Sequence, residues 1–208
     1  MDVSFIGGPQ PQHGVGVVAP FDFALDRELW RWVPDDVSLR LTRTPFVPVG
    51  VSLDLARIVS EHETLREAVR ALGASEPEVV AYACTSGSFV GGIAGERAMC
   101  EVMNAAGEVP SLTTSGALLQ ALAELGAGRI ALLTPYTESV TRALEEYLGE
   151  AGVTVTGCRR PTSSIDFISA VSSPGSLRWR TPTAIESICR SSSMWPLSGI
   201  GPPGDLRG

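Results

Sequence analysis

Short apolar runs alternate with amphipathic stretches along most of the chain. Val15 to Ala19 is an apolar run ended by Pro20 and predicts a buried strand. Ala24 to Trp32 has helical spacing, with Leu25, Leu29 and Trp32 on one face. Val37 to Leu41 alternates and predicts a second strand. Leu53 to Leu72 predicts one long amphipathic helix, with Leu55, Ile58, Val59, Leu65, Val69 and Leu72 as its apolar positions. Val79 to Ala83 predicts a third strand, and Ile93 to Ala106 a helix that Gly107 can terminate. Val109 to Thr113 follows as a strand, then a helix from Ala117 to Leu125 with Ser115 as its N-cap. Ile130 to Thr134, Glu138 to Ala151 and Val153 to Thr156 read as strand, helix and strand.

Strands alternating with helices of this length build parallel βαβ units, so the fold class expected is α/β with a parallel sheet. Ligands in such sheets bind where strands end in their carboxyl direction. Pro20, Cys84, Thr114 and Pro135 all stand at such ends.

The pattern also repeats. Gly16 to Phe21 lines up with Ala131 to Tyr136, each an apolar run followed by proline and an aromatic residue. Leu25, Leu29 and Trp32 then align with Val140, Leu144 and Tyr147, and Val37 to Leu39 with Val153 to Val155. Any two βαβ units share some likeness. The functional reading is two pseudo-symmetric lobes with a cleft between them. It sets residues 14–128 as a first lobe, 129–157 as the start of a second, and 158–208 as an irregular or divergent tail. The spacing from Pro20 to Cys84, applied from Pro135, lands on Gly199, and the nearest cysteine is Cys189. From Arg159 onward Ser, Pro, Gly and Arg are frequent, and only Ile165 to Val171 resembles a strand. A loop-rich cover or a disturbed coding frame would each produce this change; the second is the favoured expectation.

Composition narrows the function classes. The 208 residues are 44% hydrophobic and 19% charged, enough for a sizeable core. A net charge of −7 argues against nucleic acid, which needs a basic face. No apolar run is long enough for a membrane span, and Asp2 without a basic segment is unlike a signal peptide. The expectation is a soluble cytoplasmic protein, with a homo-oligomer left open. Cys84, Cys100, Cys158 and Cys189 form no CxxC pair and do not neighbour His13 or His62, so neither a metal site nor a disulfide framework is expected. Cys100, inside a helical stretch, reads as a small buried apolar residue.

Cys84 reads differently. It ends a buried strand and is followed by Thr85, Ser86 and Gly87. A thiol there faces the N–H groups of the next turn, whose field favours the thiolate. The same N–H groups can hold a carboxylate or enolate oxygen. Thr85 and Ser86 also fit as capping or turn residues, and Tyr136 as a half-buried aromatic with its hydroxyl in water. Trp30 and Trp32 read as core or lobe-interface residues, and Glu61, Glu63 and Glu67 as a solvated helix face.

Three segments carry a family resemblance: AYACTSGSF at Ala81 to Phe89, TTSGALLQAL at Thr113 to Leu122, and LLTPYTE at Leu132 to Glu138. Together they resemble the aspartate/glutamate racemase superfamily, and within it the group of maleate cis-trans isomerases and arylmalonate decarboxylases. The resemblance covers about Gly14 to Gly157. It implies two flavodoxin-like lobes, the second here incomplete or irregular, no cofactor, and a small carboxylic acid as substrate. It implies Cys84 as the nucleophile that adds to the alkene, and Tyr136 as a hydrogen-bond donor to a substrate carboxylate. Thr85, Ser86 and Gly87 would contact a carboxylate or enolate, with Phe21, Thr114, Ser115 and Pro135 completing the substrate-binding set.

The chain departs from the family pattern twice. Pro20-Phe21-Asp22-Phe23 stands where many isomerases carry a turn with Ser or Asn, which suggests a less charged acid than maleate. No second-lobe cysteine motif is found, which leaves open whether Cys189 or another residue beyond 157 supplies a second catalytic group. Decarboxylases of the group keep their sole proton donor in the second lobe and lack the first cysteine. The expected activity is therefore cofactor-independent cis-trans isomerisation by covalent thiol addition. The alternatives are a racemase or decarboxylase of the same superfamily, or an inactive member that binds a small acid.

Overall fold

The computed structural model describes residues 12–24 and 26–159. Leu25, Cys189 and the expectations for residues 160–208, including a strand at Ile165 to Val171, lie outside the described residues. Six strands and seven helices follow one another among the described residues: β1 His13–Ala19, α1 Asp26–Trp32, β2 Val37–Arg43, α2 Leu53–Val59, α3 His62–Gly73, β3 Val79–Tyr82, α4 Thr85–Phe89, α5 Gly92–Gly107, β4 Ser111–Thr113, α6 Thr114–Glu124, β5 Arg129–Leu133, α7 Glu138–Glu150 and β6 Thr154–Arg159.

The strands form two sheets. One has the order β2-β1-β3-β4 and the other pairs β5 with β6. Every pairing is parallel, with Val17 opposite Leu41 on one side of β1 and Ala81 on the other. The central strands β1 and β3 are covered on both faces, which is why their residues run apolar without alternation; Val18 and Val80 are fully buried. The repeat seen in the sequence is realised as β1-α1-β2 and β5-α7-β6, each a parallel pair joined through a helix.

The predicted long helix is two helices. Ser60 stops α2 by turning its own N–H and hydroxyl back to the Arg57 carbonyl. Glu61 then takes an extended conformation before α3 begins. The apolar period continues across the break because each helix buries one face, Leu55, Ala56 and Val59 in α2 and Leu65, Ala68, Val69 and Leu72 in α3. Leu65, Ala68, Val69 and Leu72 of α3 are buried with Met99 and Met103 of α5 in one cluster around β1 and β3. Gly107 does not end α5 as a left-handed cap. It is the last helical residue, and Glu108 takes the left-handed conformation with φ 54°. A Cβ at Gly107 would lie 2.8 Å from Cγ1 of Val69, so glycine is required there by the close approach of α3.

The N-cap of α6 is also corrected. Thr113 holds it, accepting from the Gly116 N–H at 3.0 Å, while Ser115 is already helical and turned inward. Trp30 and Trp32, expected in the core or at a lobe interface, are 50% and 58% exposed. Cys100 is half-buried, and its thiol donates to Glu96 Oε1 at 3.4 Å rather than packing as a purely apolar group.

A second cluster joins the two sheets. Phe89 of α4 is buried with Val140, Leu144, Tyr147 and Leu148 of α7, and Ile130, Leu132, Val153 and Val155 of the β5-β6 sheet pack against them. Phe89 thereby fixes the end of β5 next to the turn that follows β3.

Candidate active site

Cys84 is the N-cap residue of α4, with extended backbone at φ −134° and ψ 107°. The strand delivers it by a regular register: Val18 pairs with Tyr82, and the next amide, Ala83 N–H, still donates to the Val18 carbonyl. The chain then turns directly into helix. The amides of Thr85, Ser86 and Gly87 open α4 and so have no carbonyl partner within it. These free amides at the end of β3 can donate to a carboxylate oxygen. The Cys84 thiol is half-buried, with Sγ 3.7 Å from Ser86 Oγ.

Two further strand ends approach this turn. Tyr136 follows β5, and its ring stacks edge-on against Phe89 with centroids 6.0 Å apart. Burial pushes its phenol up, against a smaller opposing influence of the Thr85 side chain, so it stays a neutral donor. Phe89 thus holds Tyr136, from the end of β5, against the helix that Cys84 caps.

The α6 residues follow β4. Thr114 Oγ1 donates to the Tyr82 carbonyl at 2.9 Å. Ser115 is fully buried, and its hydroxyl lies 2.6 Å from Ser88 Oγ and donates to the Thr85 carbonyl at 3.2 Å. Ser88 Oγ in turn lies 2.9 Å from that carbonyl and accepts from the Ser115 N–H at 3.1 Å. The hydroxyls expected to line the cleft thus fasten α6 to α4 within the protein. Gly87 is also buried, and a Cβ there would lie 2.4 Å from the hydroxyl of Tyr82.

Phe21 follows β1, the neighbour of β3. Its amide donates to Thr44 Oγ1 at 3.2 Å, and its ring meets Phe46 edge-on at 5.3 Å. Pro135 is exposed beside Tyr136. Ser88 and Tyr82 were missed in the sequence. Ser88 is three residues after Thr85 in a stretch that proves helical, the spacing at which a serine reaches back to a carbonyl. Tyr82 is two residues before Cys84, hence on the same face of the strand.

Among the described residues no cluster of three His, Cys, Asp or Glu side chains could hold a metal. No helix among them is long and apolar enough to cross a membrane.

Comparison with known proteins agrees with this fold. The arylmalonate decarboxylase family matches residues 52–176. Arylmalonate decarboxylase of Bordetella bronchiseptica is 33% identical over 132 residues, which are 61% of this chain and 54% of that protein. Maleate isomerase of Nocardia farcinica is 35% identical over 88 residues, 40% of this chain and 35% of that protein. The chain thus spans about half, or less, of the curated relatives it matches. Among solved structures, a maleate isomerase of Pseudomonas putida shares the fold with a TM-score of 0.66 at 21% identity, covering 78% of this chain and 69% of that one. A liganded double mutant of arylmalonate decarboxylase has a TM-score of 0.64 at 27% identity, covering 72% of this chain and 62% of that one. Matched over more than half its length, this chain belongs to the arylmalonate decarboxylase family, in the group that family forms with the maleate isomerases within the aspartate/glutamate racemase superfamily.

Proposed function

We propose that the protein is a cofactor-independent cis-trans isomerase of a small unsaturated dicarboxylate, acting through Cys84. The observation that carries this reading is the packing of Tyr136, at the end of β5, against Phe89 of the helix that Cys84 caps at the end of β3. A candidate nucleophile, the free amides that open α4 and a neutral phenol donor lie at neighbouring strand ends.

The chemistry follows from that arrangement. The Cys84 thiolate adds to one alkene carbon, forming a C–S bond. The π electrons move onto the neighbouring carbon and its carboxylate as an enediolate. The amides of Thr85 to Gly87 and the Tyr136 hydroxyl stabilise this charge, which is larger in the intermediate than in the substrate. The former double bond rotates as a single bond. The electrons then return, the C–S bond breaks, and the trans acid leaves with the thiolate restored. No proton, oxidant or cofactor enters the balance. In this reading Phe21, Ser86, Thr114, Ser115 and Pro135 shape the substrate site, with Ser115 acting through its clasp on Ser88. The oligomeric state forms no part of the mechanism.

A second reading is supported by the family match, which is to a decarboxylase. There the same donors would hold the enediolate left by loss of CO2 from a malonate, and Cys84 would return a proton to carbon. Proton NMR separates the two. Incubation with maleate gives fumarate under the first reading, and incubation with an arylmalonate gives an arylacetate under the second. Absence of fumarate, with the protein folded, would remove the isomerase assignment.

A further inference from the structure

Helix α5 carries a carboxylate that the proposed reaction does not use. Glu96 is half-buried, and its Oε1 accepts from the Thr113 hydroxyl at 2.6 Å and from the Cys100 thiol at 3.4 Å. The first distance lies in the range of a hydroxyl bonded to a charged oxygen. Glycine at position 116 makes room for this carboxylate. A Cβ there would lie 2.7 Å from Glu96 Oε1 and 3.2 Å from Thr113 Oγ1.

The threonine hydroxyl has one hydrogen, and a carboxylate only accepts. The hydrogen therefore goes to Glu96, which leaves a lone pair for the Gly116 N–H, 3.0 Å away. Glu96 thus fixes the rotor of the residue that caps α6. The capped turn carries Thr114, whose hydroxyl donates to the Tyr82 carbonyl at 2.9 Å. It also carries Ser115, whose hydroxyl donates to the Thr85 carbonyl at 3.2 Å. A peptide unit is planar, so holding the Thr85 carbonyl also sets the direction of the Ser86 N–H, one of the amides that open α4.

We infer that Glu96 is a positioning residue for the site at the end of β3, acting through Thr113 and the first turn of α6 to align the Ser86 amide. The link runs across three elements by recorded hydrogen bonds: Glu96 of α5 to the Thr113 cap, the cap to Gly116, and Ser115 of the same turn to Thr85 of α4. A small displacement of an oxyanion donor costs rate, because that donor matters most where charge has built up in the transition state.

This inference rests on the α4 amides as donors to the substrate, but its first test needs no substrate. Backbone amide resonances of Ser86 and Gly116 are compared by NMR in wild type, Glu96→Ala and Glu96→Gln. Alanine removes the acceptor for Thr113 and keeps a high helix propensity, whereas glutamine retains an acceptor oxygen. Alanine is expected to shift both resonances, and glutamine to return both toward wild type. With maleate, kcat is expected to fall about tenfold in Glu96→Ala at a similar KM, and to recover in Glu96→Gln. Thr113→Val removes the same link with little change of shape and decides the matter if Glu96→Ala does not fold. An unmoved Ser86 resonance in a folded variant overturns the inference, since the carboxylate would then serve α6 alone. So does an unchanged kcat where the wild type converts maleate. The expected shifts in a protein that does not convert maleate leave the inference standing and remove only the isomerase reading.

Discussion

Ser88 and Ser115 are both fully buried and their hydroxyl oxygens lie 2.6 Å apart, although one belongs to the turn after β3 and the other to the turn after β4. Each hydroxyl also reaches the Thr85 carbonyl. The clasp holds two helix starts in one fixed relation and sets the direction of the Thr85 amide plane. Ser88→Ala would leave the Ser115 N–H without its acceptor, in a site closed to water. A loss of about 1–3 kcal/mol in stability is expected, measured by urea unfolding. A double-mutant cycle with Ser115→Ala should show coupling; strictly additive losses would mean the two serines act separately.

Cys84→Ser is expected to abolish maleate conversion while leaving the fold intact, because a serine hydroxyl is a far poorer nucleophile at neutral pH. The checks are fumarate formation by NMR and an unchanged thermal melt. Retention of most of the wild-type turnover would place the chemistry on another residue.

Tyr136→Phe keeps the edge-on contact with Phe89 but removes the hydroxyl. Stability should change little. Substrate binding should weaken by about 1–2 kcal/mol, typical of one hydrogen bond to a charged group. Steady-state kinetics would show this as a higher KM, and unaltered KM and kcat would remove Tyr136 from the site.

Cys100 offers a pH test independent of the site. Its burial, and then the Glu96 carboxylate beside it, push its thiol from the ordinary 9.0 up to about 12. A group whose value is raised on folding contributes stability that is complete below its unfolded value and is lost as pH rises toward the folded one. Wild-type stability should therefore fall more steeply between pH 9 and 12 than that of Cys100→Ala. Parallel curves would contradict the assignment. At pH 8, iodoacetamide should label the exposed Cys158 well before Cys100.

Gly107→Ala places a Cβ 2.8 Å from Val69, on a helix pair that forms much of the core around β1 and β3. Helix propensity alone would favour alanine. Overpacking is expected to win, with a loss of about 1–3 kcal/mol in denaturant unfolding. A more stable variant would show that α3 and α5 can separate freely.

The parallel architecture was legible in the sequence because burial on both sheet faces leaves uninterrupted apolar runs such as Val15 to Ala19, and because each run is followed by a helical period. Strand ends were legible for the same reason, which placed Cys84 and Tyr136 correctly at the ends of β3 and β5. The helix break at Ser60 was not legible, since α2 and α3 each bury one apolar face and the period runs through the interruption. Nor was the N-cap of α6: Thr113, Thr114 and Ser115 are all chemically able to cap, and Thr113 does so while Thr114 engages the Tyr82 carbonyl and Ser115 meets Ser88.

From the sequence alone came the strand and helix order, the repeat and the position of Cys84 at a strand end, because local periodicity and residue chemistry are properties of a linear string. Which hydroxyls face the thiol and which are consumed in clasps was settled only by tertiary structure. Ser88 meets Ser115 across 27 positions of chain and Tyr82 meets Val59 across 23, and such contacts exist only once the helices have packed onto the sheet.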